Sequence, residues 1–307
     1  MVRSLLRPLF PLWLSISVLA QAAPESKDAA TKAGPLRVTI VGASLSAGFV
    51  DGPLAGGNKD NRTTPLKKAV ASWLGDGGAV QSRADLLMFT DPFKIGARQV
   101  ARAIKDGGEL LVAIDFLFWY AYGYTERNDA DERKARTDRL EQGLAQLAQW
   151  TGPLVLADLP DMQGADRRML SPLQVPKPDT LNALNERIAA WAKARPQTHV
   201  VPLRSWVDRM KQQGIELSLQ GGAVQVPKGG LLQGDRLHPN RLGMAWLLFQ
   251  LQEPVRTLAP KAMVEAMPQW TMDQCIQGVD ASLDLADLKA AAKDAPKAEH
   301  AAAGDGK

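Results

Sequence analysis

The chain has 307 residues, 45% of them hydrophobic and 23% charged, with a net charge of +4 from 37 basic and 33 acidic residues. That length suits one large domain with a full core, and the composition excludes a disordered, collagen-like or fibrous protein and a multi-span membrane protein. A single cysteine, Cys275, excludes an internal disulfide and any cysteine-built cluster; the three histidines, His199, His238 and His300, are scattered, so a histidine-built metal site is not expected.

In chain order, Arg3 and Arg7 precede an apolar run over residues 9–20 that ends in Ala20-Gln21-Ala22. A basic start, an apolar core short for a bilayer and a small-x-small site predict a secretory signal peptide over residues 1–22, with no stable membrane span after cleavage. The mature chain then holds 35 basic against 33 acidic residues, which does not point to nucleic acid as a partner. Export to the periplasm or the exterior is the predicted localisation, where Cys275 is expected to be buried. Residues 23–34 read as a polar linker and 35–282 as one folded domain. Residues 283–307 read as a disordered Ala/Lys-rich tail, with His300 solvated, because it has too few large apolar groups to offset its ordering entropy.

Within the domain, residues 36–41 form a β-branched run that predicts a buried strand. Residues 52–61 are glycine-rich and predict a surface loop; Asn61-Arg62-Thr63 also matches a glycosylation sequon, a match too short to weigh. Helical spacing follows at 64–74, a second apolar run at 85–89, a helix at 96–104 and a third strand at 109–115. Residues 129–150 form a long amphipathic helix, with Leu140, Leu144 and Leu147 on one face. Strands at 154–157 and 199–203 flank a helix at 180–194, and a last apolar helix runs over 240–251. Strands apolar on both faces, alternating with helices, predict an α/β fold: three layers, α/β/α, around a flavodoxin-like parallel sheet of about five strands.

The first strand runs into Gly42-Ala43-Ser44-Leu45-Ser46-Ala47-Gly48. This matches neither the dinucleotide fingerprint, since position 44 is serine, nor a P-loop, since no Gly-Lys-Ser/Thr follows. It reads either as a structural turn or as a nucleophile exposed at the sheet edge where α/β folds bind ligands. Near the end, Gly234-Asp235-Arg236-Leu237-His238-Pro239-Asn240 places an acid three residues before a histidine, ahead of a helix. One turn of backbone can present both side chains to one point, the carboxylate holding Nδ1–H and leaving Nε2 free as a base. The third strand ends Ala113-Ile114-Asp115 and continues into Phe116-Leu117-Phe118-Trp119-Tyr120-Ala121-Tyr122-Gly123-Tyr124. That aromatic run reads equally as a substrate-pocket wall, through Phe116, Phe118, Trp119 and Tyr120, or as packing under the next helix. Residues 158–161 read as a structural turn on the same rim.

These segments resemble the GDSL or SGNH hydrolases. Gly42–Gly48 matches the first block of that family except for Ala43, and Asp235, His238 and Pro239 match the last. The resemblance implies the SGNH fold for 35–282 and a serine esterase with Ser44 as nucleophile, His238 as base and Asp235 as orienting acid. It further implies an oxyanion hole from the Ser44 N–H, a second-block glycine, for which Gly96 is the candidate, and a third-block asparagine, whose place Asp115 takes. The expected substrates are small-molecule or polysaccharide esters. The Asp115 substitution also leaves open a weakly active or inactive binding protein, and acyl transfer to polysaccharide is the third reading.

Overall fold

The computed structural model describes residues 35–51, 62–125, 129–265 and 267–283. The predicted signal peptide, linker, 52–61 loop and the tail from 284 onward lie outside these residues, as does Asn61 of the sequon. In chain order the elements are β1 (Leu36–Ile40), α1 (Ser44–Ala47), α2 (Leu66–Leu74), β2 (Gly78–Ser82), α3 (Pro92–Asp106), β3 (Leu110–Ala113), α4 (Phe118–Ala121) and α5 (Asp129–Leu147). There follow β4 (Leu154–Ala157), α6 (Pro178–Lys193), β5 (Thr198–Val201), α7 (Leu203–Asp208), β6 (Ile215–Leu219), β7 (Gly222–Val226), α8 (Arg241–Leu258), α9 (Lys261–Val264) and α10 (Met272–Val279).

β3 and β4 are buried at every position because helices cover both sheet faces. All five strands of the main sheet run parallel, in the order β2-β1-β3-β4-β5. This is the flavodoxin-like order, and the predicted three-layer α/β/α architecture is the one observed. α2, α8 and α10 pack together on one side, and α3, α5 and α6 form the layer on the other. Strand order reverses between β1 and β3, so the loops leaving their carboxyl ends open a crevice between them. Ser44 follows β1 and Asp115 follows β3.

The second strand is not the apolar run at 85–89. It is Gly78–Ser82, alternately half-buried and exposed, and Leu86–Phe89 forms a short 3-10 helix instead. β2 is an edge strand with a single neighbour, so it needs no continuous apolar run. Leu86, Leu87 and Phe89 are exposed. A two-stranded antiparallel sheet, β6–β7, completes the domain; Ile215, Leu217 and Leu219 alternate inward and a Gly221-Gly222 pair marks the turn. Among the described residues no helix is long and apolar enough to cross a membrane.

The segment after α10 is pinned to the start of α8. Buried Arg241 donates to Asp280 (2.5 Å) and to the Ser282 hydroxyl (3.0 Å), which in turn donates to Asp280 (2.7 Å). Burial would raise the Asp280 carboxyl, but the guanidinium and the hydroxyl outweigh it and hold Asp280 well below its ordinary value. A depressed carboxylate contributes stability that is present above the ordinary carboxylate range and lost as pH falls. Asp280→Asn is therefore expected to cost about 1–3 kcal/mol at neutral pH and to flatten the acid limb of stability, read by denaturant unfolding at pH 7 and pH 3.

Candidate active site

Ser44 is the first residue of α1, a single turn that begins two residues beyond Gly42. The turn is held from behind by side chains of two other elements. Asp115, 7% exposed, accepts the Ser46 hydroxyl on Oδ1 (2.6 Å) and the Ser46 N–H on Oδ2 (3.1 Å). It thus serves as the N-terminal acceptor of α1, which has no side-chain cap of its own. Burial pushes its carboxyl up, and these hydrogen bonds pull it back only in part. Gln99 of α3, fully inside, reads Gly42 with both ends of its amide: Oε1 accepts the Gly42 N–H (2.8 Å) and Nε2 donates to the Gly42 carbonyl (3.0 Å). A Cβ on Gly42 would stand 2.0 Å from Asp115 Oδ1 and 2.8 Å from Ser46 Oγ, so only glycine lets the carboxylate this close.

The histidine arrives from the other end of the chain, on a loop closed on itself. Leu232 bridges Pro239, and the Gln233 N–H donates to the His238 carbonyl (2.8 Å). Arg236 takes a left-handed conformation, φ 56°, that turns the backbone between acid and base at a cost of about 1–2 kcal/mol. Asp235 Oδ1 accepts the N–H groups of Leu237 (2.9 Å) and His238 (3.0 Å), and Oδ2 pairs with His238 Nδ1 (2.6 Å). With Nδ1–H donating to the carboxylate, Nε2 keeps its lone pair and meets the Ser44 hydroxyl at 2.7 Å. Asp235 is fully buried. Burial would raise its carboxyl, but the bond and charge of His238 and the two backbone N–H groups outweigh it and hold the group below the usual range.

One buried amide joins the two halves. Gln233 donates through Nε2 to the carbonyls of Phe49 (2.8 Å) and Pro239 (3.0 Å), and its Oε1 accepts the Asp51 N–H (2.7 Å). Phe49 belongs to the serine turn, its N–H donating to the Ser44 carbonyl (2.9 Å), and its ring lies on the His238 ring with centroids 4.6 Å apart.

Of the residues singled out by sequence, Ser44, Asp235, His238 and Asp115 come together, but Asp115 comes as an acceptor. A carboxylate occupied by hydroxyl and N–H donors has no hydrogen to offer an oxyanion, which corrects the expectation placed on it. Gly96 does not reach the serine. It lies inside α3, where its Cα faces the Tyr120 hydroxyl and Gln146; an added Cβ would stand 2.1 Å from that hydroxyl. The segment beside the serine turn is instead the loop after β2, where the Asp85 N–H donates to the Gly42 carbonyl (3.1 Å). The aromatic run divides. Phe116 and Tyr120 are fully buried in the core, Tyr120 donating to the Pro92 carbonyl (2.8 Å), whereas Phe118 and Trp119 face two cavities that meet at Ser44. Asp158, Leu159 and Pro160 line one of these cavities. Gln99 and Gln233 escape sequence reading. For Gln99 the trace was there, a polar residue four positions after Ile95 on the apolar stripe of a helix; for Gln233 there was none.

Among the described residues no group of three or more His, Cys, Asp or Glu side chains is placed to hold a metal ion. No protein-family profile matches the chain, and no curated protein matches it significantly. Among solved structures it is similar to an acetylxylan esterase from Geobacillus stearothermophilus, at 13% identity over 75% of this chain and 98% of that one, with a TM-score of 0.46. It is similar also to TesA (15% identity, 73% and 99% of the two chains, TM-score 0.45) and to the psychrotrophic esterase EstA from Pseudoalteromonas sp. (11%, 72% and 97%, 0.42).

Proposed function

We propose that the chain is an exported serine esterase, a divergent relative of the SGNH hydrolases, acting on small-molecule or polysaccharide esters. The observation that carries the reading is the continuous line from Ser44 Oγ to His238 Nε2 (2.7 Å) and from His238 Nδ1 to Asp235 (2.6 Å). Its chemistry is acyl transfer in two steps. Ser44 Oγ bonds to the ester carbon while His238 takes its proton. The C–O bond to the alcohol then breaks as His238 gives that proton to the leaving oxygen. Water attacks the acyl-serine, losing a proton to His238, and Ser44 regains it as the acid leaves. Asp235 holds the imidazole tautomer and offsets the imidazolium charge between these transfers.

The Ser44 N–H is the oxyanion donor retained from the resemblance. Loss of one oxyanion-hole donor costs about 3–4 kcal/mol of transition-state stabilisation where it has been measured. The acceptor role of Asp115 therefore favours a second reading, a binding protein with little or no turnover. A fluorophosphonate probe separates the two. Labelling of wild type and not of Ser44→Ala marks a working nucleophile; no labelling of folded wild type supports the binding protein.

A further inference from the structure

The Ser44–His238 pair stands in the wall between two cavities of unequal size. Both are lined by Ser44, Leu237 and His238. The first has a volume of about 40 Å³ and runs inward past Leu117, Phe118, Met162, Leu203 and Val207. None of its lining residues is exposed. One water needs roughly 10–15 Å³ on this measure, so the chamber takes about three non-hydrogen atoms. Asp158 stands in its wall, accepting the Arg204 N–H (2.7 Å), so a longer aliphatic chain would lie against a polar carboxyl group. The second cavity holds about 340 Å³ and is bounded by Leu86, Phe89, Trp119 and Tyr124. Leu86, Phe89 and Tyr124 are exposed, so this side opens to solvent.

The two halves of an ester have different needs. The acyl group stays bonded to Ser44 through both steps, whereas the alcohol must depart after the first. The chamber is small and has no exposed lining residue, whereas the cleft is larger and rimmed by exposed side chains, so the cleft is the readier way out for a departing alcohol. We infer that the chamber holds the acyl group and the aromatic cleft the alcohol, so that the substrates are short acyl esters, acetyl to about butyryl, of bulky alcohols. This rests on the esterase reading and narrows it. Aromatic faces at the mouth fit a ring-bearing alcohol, and a small methyl or ethyl alcohol would leave them unused.

The test uses two isomeric alkyl esters of similar intrinsic reactivity, benzyl acetate and methyl phenylacetate, which place the ring on opposite sides of the carbonyl. Benzyl acetate is expected to give the higher kcat/KM by at least tenfold, on the scale by which pockets discriminate size. Phe89→Ala and Tyr124→Ala, both at exposed positions, are expected to raise KM for benzyl acetate several-fold, and by a larger factor than for methyl acetate. Val207→Ala is expected to raise turnover of p-nitrophenyl hexanoate relative to the acetate. Equal or greater activity on methyl phenylacetate overturns the partition while leaving the esterase reading intact. Hydrolysis of neither isomer overturns the partition as well, and fluorophosphonate labelling of Ser44 then decides whether the esterase reading survives it.

Discussion

Ser44→Ala and His238→Ala are each expected to lower kcat on an activated ester by roughly 10⁴–10⁶-fold, and the double variant to be little worse than either. The reason lies in the geometry. Ser44 Oγ is a poor nucleophile without a base, and among the described residues the partner of its hydroxyl is His238 Nε2 at 2.7 Å. Remove the imidazole and the proton has nowhere to go; remove the hydroxyl and the imidazole has nothing to activate. Full additivity of the two losses in a steady-state comparison would show that the residues act independently and would end the dyad assignment. Asp235→Asn is expected to fall between, since an amide can present its nitrogen to Nδ1 and favour the wrong tautomer.

Asp115→Ala is expected to lower stability by about 2–4 kcal/mol, because the Ser46 N–H and hydroxyl both lose their acceptor inside the protein. The melting temperature should fall by roughly 5–10 °C. The same change releases the turn that carries Ser44, so kcat is expected to drop about 10–100-fold with KM nearly constant. Asp115→Asn should recover much of both. Its oxygen can accept the N–H groups, and its amide can donate to Ser46 Oγ, whose hydroxyl then turns round. An oxyanion donor behaves differently: its removal lowers kcat at an unchanged melting temperature, and that result in Asp115→Ala would restore the role rejected above. The pH dependence has a definite sign. A carboxyl whose native value is raised above 3.8 binds its proton more tightly folded than unfolded. Its contribution to stability is full below that value and declines as pH rises through the native one. Asp115→Asn should remove this decline.

The sheet and the chemistry were legible to different degrees, for physical reasons. Interior strands such as β3 and β4 announce themselves because both faces are covered and every residue must be apolar. The edge strand β2 obeys no such rule, and Gly78-Ala79-Val80-Gln81-Ser82 passes for a loop. The Asp235–His238 pair was readable because both residues lie on one turn of chain. Asp115 was readable as a position but not as a function: the residue type is visible in sequence, whereas the direction of a hydrogen bond depends on what packs against it. Gly96 failed for a related reason. A glycine before a helical pattern suggests an open N–H, yet α3 begins at Pro92, capped by Asp91 on the Lys94 N–H, and draws Gly96 into its interior.

Ser44 and His238, the proposed nucleophile and base, lie 194 residues apart in sequence. Closing a loop of that length costs only a few kcal/mol of chain entropy, so the separation is no obstacle to stability. Its consequence is temporal. Ser44 is among the first residues of the domain to be synthesised, but it has no base until His238 has been made and the loop beneath α8 has docked on Phe49. Until then the serine is an ordinary alcohol. Because contacts of such range form late and slowly, the proposed chemical competence would mark the completed fold, and a chain cut anywhere between Ser44 and His238 would keep the serine without its base.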